Sequence, residues 1–143
     1  MIMDIEVSFV GGKRVEARFG PHVVVSDQSV EHGGASSAPE PFELFLASLA
    51  TCAGLYVLGF CQARHIPTTG LGLVQHNEFN ATSHRLERVA LEILLPEGFP
   101  EQYRAAIVRA AEGCKVKKTL AAAPEILVSA RVAPSDALGA ALA

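Results

Sequence analysis

The sequence predicts an α+β fold, and three observations carry that prediction. Residues Pro41 to His65 read as one very apolar helix, the segments on either side alternate like strands, and a second stripe at helical spacing begins at Glu101. The central stretch has proline at its first position, where the missing N–H would be unpaired anyway. Glu40 and Glu43 sit at the positive end of its dipole, Arg64 and His65 at the negative end. Pro67 disfavours helical geometry at Ile66 and ends the run. About 25 residues would span roughly 37 Å at the helical rise. Leu44 to Cys61 contains no charge, so such a helix must be covered on all sides. A transmembrane span meets the lower length limit too. The small and hydroxylated residues Ser48, Thr51, Gly54 and Gly59, and the strand-like neighbours, favour a core helix instead.

The remaining elements follow in chain order. Ile5, Val7 and Phe9 alternate with acidic residues, Gly11-Gly12 marks a hairpin turn, and Arg14 to Phe19 alternates again. Gly20-Pro21 turns the chain into the β-branched run His22 to Ser26, which completes an N-terminal meander. Asp27 to Glu40 is a polar, glycine-rich loop. After the helix, Leu71 to Phe79 and Leu86 to Leu95 form an antiparallel pair, with Val89, Leu91, Ile93 and Leu95 on one face. Tyr103, Ile107, Ala110, Ala111 and Cys114 make the second helix's apolar stripe. Lys115 to Ala122 continues as a short, offset helix, Pro124 breaks it, and Ile126 to Val132 is a final strand. The expected organisation is one domain over residues 1–133 with a tail over 134–143.

Composition narrows the function. The chain has 143 residues, half of them hydrophobic, with a net charge of −3 and no basic stripe, which argues against a nucleic-acid partner. Three cysteines at unpatterned spacing, without a signal-peptide-like leader, argue against a secreted disulfide scaffold and point to a reducing cytoplasm, with no membrane partner. No C-x-x-C occurs and the five histidines are scattered, so neither a metal nor a cofactor is expected. Cys52 and Cys61 are nine residues apart on one helix, half a turn out of phase, and cannot pair. Cys114 ends the second helix's core-facing stripe, which leaves Cys52 with Cys114 as the pair that can meet. Three free buried cysteines is the alternative reading.

The segment P-F-E-L-F-L-A-S-L-A-T-C resembles the P-x-E-L-L-L-A-A-L-A-x-C stretch of the OsmC/Ohr family, the osmotically inducible and organic hydroperoxide resistance proteins. A-R-H-I-P-T-T-G-L resembles that family's A-x-x-x-I-P-L-x-G-L helix exit, and A-A-E-G-C-K-V-K-K-T-L its A-x-x-x-C-P-V-x-x-x-L segment. The three motifs fall in family order, across roughly Val7 to Val132, and the P-x-E-L form is closest to one less characterised branch. The resemblance implies an intertwined homodimer. It also implies a thiol peroxidase acting on organic hydroperoxides, with Cys52 as the peroxidatic and Cys114 as the resolving cysteine, reset by an external thiol or dithiol. Oxidative-stress defence in the cytoplasm would be its setting. Phe42, Phe45 and Ser48 would flank the thiol, Phe45 and Ser48 standing seven and four residues before it.

The chain also departs from the family pattern. The peroxidase branches place a thiolate-activating glutamate ten residues before the first cysteine, and Phe42 occupies that position here. Glu43 stands nine before, where a capping role is the competing reading. The partner arginine of the family maps onto Lys13 or Arg14 in the G-G-K-R hairpin. Lys115 stands where a proline usually follows the second cysteine, and a lysine in that cluster could lower a nearby thiol pKa. Without the usual activating pair, a non-enzymatic binder of a small apolar ligand or thiol compound is the second expectation. A thiol–disulfide regulator of other proteins is a third.

Overall fold

The structure is a computed structural model that describes residues 1–134; the expected tail lies almost wholly outside them. The chain divides into two compact units, Met1–Leu44 with the residues from Glu125 onward, and Phe45–Pro124.

In the first unit the strands β1 (Glu6–Phe9), β2 (Val15–Phe19) and β3 (His22–Ser26) form an antiparallel meander in the order β1-β2-β3. Gly11 and Gly12 turn the first hairpin with φ of 109° and 57°, in the region glycine enters without a Cβ penalty. The loop after β3 folds around one carboxylate. Asp27 is 1 % exposed and accepts hydrogen bonds from the Ser37 hydroxyl (2.6 Å) and from the backbone N–H groups of Ser37, Gln28 and Ala35. These bonds, the Ser37 hydroxyl first, hold its pKa down to about 2. The loop crosses itself at Gly34, where a Cβ would lie 2.0 Å from the Gln28 carbonyl oxygen, so only glycine fits.

Asp27→Asn should therefore lower the melting temperature at pH 7, because the amide keeps one acceptor oxygen and turns an NH2 toward N–H donors. A carboxyl whose folded pKa is depressed stabilises the fold above its unfolded value, near 4, and loses that contribution as pH falls through about 2. The gap between wild type and variant should thus shrink between pH 4 and pH 2. Thermal unfolding followed by circular dichroism at pH 7 and pH 2.5 measures it, and a gap independent of pH would contradict the assignment.

The helix α1 spans Pro41–Ala63, two residues shorter at its end than the sequence predicts. Its start is secured by Glu43, whose carboxylate accepts the Glu40 N–H at 2.8 Å, half of a capping box. It ends in a Schellman arrangement. His65 takes φ 53° and donates to the Gln62 carbonyl, while buried Ile66 donates to the Cys61 carbonyl at 2.9 Å. The chain has therefore left the helix before Pro67 is reached.

In the second unit β4 (Gly72–Phe79) and β5 (Leu86–Leu94) pair antiparallel, with Leu73 opposite Ile93 and Gln75 opposite Leu91. Their apolar face packs against α1 and against α2 (Arg104–Glu112), which a 3-10 turn at Glu101–Tyr103 leads into. A third helix, α3, follows at Lys115–Ala121. Leu49, Ala53, Val57, Phe60 and Cys61 supply the buried stripe of α1, and Ile107, Ala111 and Cys114 meet it. The Arg64 guanidinium lies 3.7 Å over the Phe60 ring and closes the exit of α1.

Two expectations need correction. The central helix is covered along one stripe only: Leu55 is 67 % and Tyr56 42 % exposed. An all-round apolar helix needs two faces of cover, and a single copy of the second unit provides one. Its length and composition alone would also suit a membrane span. The final strand does not form, and Ile126, Leu127, Val128 and Val132 are 81–95 % exposed. A strand exists only as one member of a ladder, and among the described residues no edge is paired with this segment.

Candidate functional site

The second unit brings Cys52 and Cys114 together. Cys52 lies on the flank of the buried stripe of α1, one turn after Leu49, and is partly buried. Cys114 follows the Gly113 break at the end of α2 and is fully buried. It is the N-cap residue of α3: its backbone is extended at φ −60°, ψ 140°, and its Sγ accepts the Lys117 N–H at 3.3 Å. All three cysteines are free thiols.

The surroundings of Cys52 favour its thiolate. The Val116 amide does most to lower its pKa, followed by the Cys114 thiol, the amide of Lys115 and the positive charge of Lys115. Together these outweigh burial and hold its pKa below the ordinary thiol range. Cys61 shows the opposite balance, since burial raises its pKa and Arg64 offsets that only in part. Fully buried in the α1 core, Cys61 is a packing residue.

Beside the pair, in the same unit, lies a cavity of about 600 Å³. Leu49 of α1, Leu91 and Ile93 of β5, and Ile107 and Ala111 of α2 line it, together with Arg104 and Lys117. Leu49 stands one helical turn before Cys52 on α1, and Ala111 lies three residues before Cys114, across the Gly113 break.

The other residues singled out from the sequence fall elsewhere. Lys13 and Arg14 are exposed in the first hairpin of the meander, and the Lys13 stem lies against Gly33. Glu43 is engaged at the start of α1, as its capping reading requires. Phe42 is half-exposed in the first turn. Phe45 and Ser48 lie on the Cys52 side of α1, but the Ser48 hydroxyl donates back to the Phe45 carbonyl at 2.7 Å and the cavity is lined by other side chains. Lys115, anticipated as one of a cluster of lysines, is the cation whose charge acts on Cys52.

Two features were not foreseen. The start of α3 favours a thiolate at Cys52 and its Lys117 amide rests on the Cys114 sulfur, a use of backbone that no side-chain pattern announces; the break at Gly113 just before Cys114 was the available hint. Just before α1, Glu40 accepts from Ser29 N–H at 2.8 Å and pairs with His32 Nδ1 at 2.9 Å. That pair lowers the Glu40 pKa to about 2 and raises that of His32. Among the described residues no group of three His, Cys, Asp or Glu side chains is arranged to hold a metal ion.

Similar proteins place this geometry in a family. An osmotic-stress and detoxification protein from Psychrobacter arcticus superposes with a TM-score of 0.68 at 20 % identity, covering 80 % of this chain and 85 % of its own. An OsmC-like protein from Mycoplasma pneumoniae matches with a TM-score of 0.66 at 15 % identity, over 86 % and 89 % of the two chains. An organic hydroperoxide resistance protein OsmC from Legionella pneumophila matches at 0.56 and 17 %, over 84 % and 89 %. At these identities the likeness is one of fold. No curated protein sequence matches the chain. The model of the OsmC-like protein family matches residues 33–129, a span that contains all three motifs and the strands β4 and β5 between them, and the chain is therefore a member of the OsmC-like family.

Proposed function

We propose that this protein is a thiol-dependent peroxidase that reduces organic hydroperoxides, with Cys52 as the attacking and Cys114 as the resolving cysteine. The observation that carries the reading is the meeting of the partly buried Cys52 with the buried Cys114 in one unit, where the Cys114 thiol and the start of α3 favour the Cys52 thiolate. The Cys52 thiolate attacks the terminal oxygen of R–OOH, the O–O bond breaks, and the alkoxide leaves and takes a proton as R–OH. Cys52 is then a sulfenic acid. The Cys114 sulfur displaces its hydroxyl, which departs as water, and a disulfide remains. An external thiol or dithiol supplies the two electrons and two protons that restore both thiols.

The neighbouring aliphatic cavity supports an organic rather than a purely aqueous peroxide, since it offers an alkyl chain cover from water. Lys115 supplies the charge at the sulfur, and Lys13 or Arg14 adds to it if brought near in an assembly. Adding one equivalent of an organic hydroperoxide to the reduced protein should consume two thiols per chain, counted by a thiol reagent, and faster as pH rises through the lowered Cys52 pKa. Intact thiols with a ligand retained in the cavity would favour the non-enzymatic binder instead.

We also propose a homodimer. The uncovered side of α1 and the unpaired apolar segment at Ile126–Val132 are surfaces that a second copy would cover. Sedimentation equilibrium should give twice the mass of 15.1 kDa; a monomer at micromolar concentration would refute it.

A further inference from the structure

Cys114 has two roles in the reduced protein. Its sulfur neighbours Cys52, and it also caps α3 by accepting the Lys117 N–H. The amides of Val116 and Lys115 favour the charged form of the Cys52 sulfur. Helix starts leave four N–H groups without an intrahelical partner; here the Lys117 N–H rests on the Cys114 sulfur, and those of Val116 and Lys115 act on the Cys52 thiolate. The helix they secure has seven residues, none of them buried. A helix that short does not persist in water unaided, so its order depends on what holds its first turn.

We propose that oxidation of the Cys52–Cys114 pair uncaps α3, loosening its first turn and opening the buried Cys114 sulfur to the thiol that restores it. The physiological occasion rests on the peroxidase reading, but the step itself needs only a two-electron thiol oxidant. Two S–H groups give up two electrons and two protons to the oxidant, and one S–S bond forms. Closure to about 2 Å draws the Cys114 sulfur toward Cys52 and away from the Lys117 amide. The Cys52 sulfur loses the negative charge that made it a strong acceptor for Val116 and Lys115. The Lys117 amide then loses its sulfur partner, those of Val116 and Lys115 meet a neutral disulfide sulfur, and the first turn is left to water.

The consequence answers a problem of access. A reductant thiolate must reach one sulfur of the disulfide, displace the other as a thiolate, and then close its own disulfide. Cys114 has no exposed surface in the reduced state. Loosening α3 only when the pair is oxidised would admit the reductant at the moment it is needed and restore the cover afterwards.

Hydrogen exchange read by mass spectrometry on the full chain tests this. One sample is kept reduced, and the other is oxidised with diamide, its disulfide confirmed by the loss of two hydrogens and by peptide mapping to Cys52 and Cys114. The amides of residues 116–119 should exchange roughly fivefold to tenfold faster in the disulfide form, the span a lost helix cap corresponds to, while β4 and β5 stay unchanged. Equal exchange in both forms overturns the proposal, as does failure of diamide to link these two residues. Cys114→Ser provides the control: its hydroxyl can cap but cannot link, so diamide should leave its exchange slow. Faster exchange in that variant after diamide would place the cause elsewhere and overturn the proposal too. The peroxidase reading fails separately, if diamide links the pair and organic hydroperoxide does not.

Discussion

Cys52→Ser will remove hydroperoxide reduction, with a fall on the order of a thousandfold or more, because a serine hydroxyl is not ionised at neutral pH and a thiolate is the nucleophile the step needs. The variant should stay folded, since Cys52 is only partly buried and serine differs by one atom. Cys114→Ser separates the two roles. It should still consume about one equivalent of hydroperoxide, as Cys52 is oxidised, but should stall without forming the internal disulfide. Cys61→Ser should turn over like wild type if it folds, because its sulfur lies in the core with a raised pKa. Stopped-flow consumption of cumene hydroperoxide, alongside thiol counts, reads all three. Unchanged turnover in Cys52→Ser would end the peroxidase proposal.

Ile107→Ala will cost about 3 kcal/mol of stability, within the range for deleting a fully buried branched side chain. Ile107 is completely buried, meets the α1 stripe and forms part of the cavity wall. The cavity cannot shrink to compensate, because it already leaves about 600 Å³ unfilled on that side. The melting temperature should fall by roughly 6–12 °C for a chain of this size, measured by calorimetry on the reduced protein. Val108, on the same helix but nearly half-exposed, is the comparison: Val108→Ala should cost well under half as much. Equal losses at the two positions would mean that the buried stripe is not where the second unit is held together.

Much of the fold was readable from local pattern. The third strand matches its sequence span of His22–Ser26, and the alternation over Val89, Leu91 and Ile93 marked the face that packs. The stripe Tyr103, Ile107, Ala111, Cys114 located the core side of α2, and the half-turn offset of Cys61 from Cys52 separated the thiol beside Cys114 from the packing one. These succeed because period and phase are properties of neighbouring residues. Ile126–Val132 failed for the complementary reason: its composition is that of a strand, but pairing is decided by what lies alongside, which no local pattern contains.

The same division runs through the site. Residue order alone told which thiols share a helix, which cannot pair, and that Glu43 sits where a cap belongs. Which amides favour the Cys52 thiolate, that the Lys115 charge is among its influences, and that Cys114 starts a helix instead of ending one were decided by folding. Those facts depend on where the start of α3 meets the flank of α1, two segments more than fifty residues apart. A thiol's acidity is set by the dipoles and charges within a few ångströms of it, and only the packed chain brings them there.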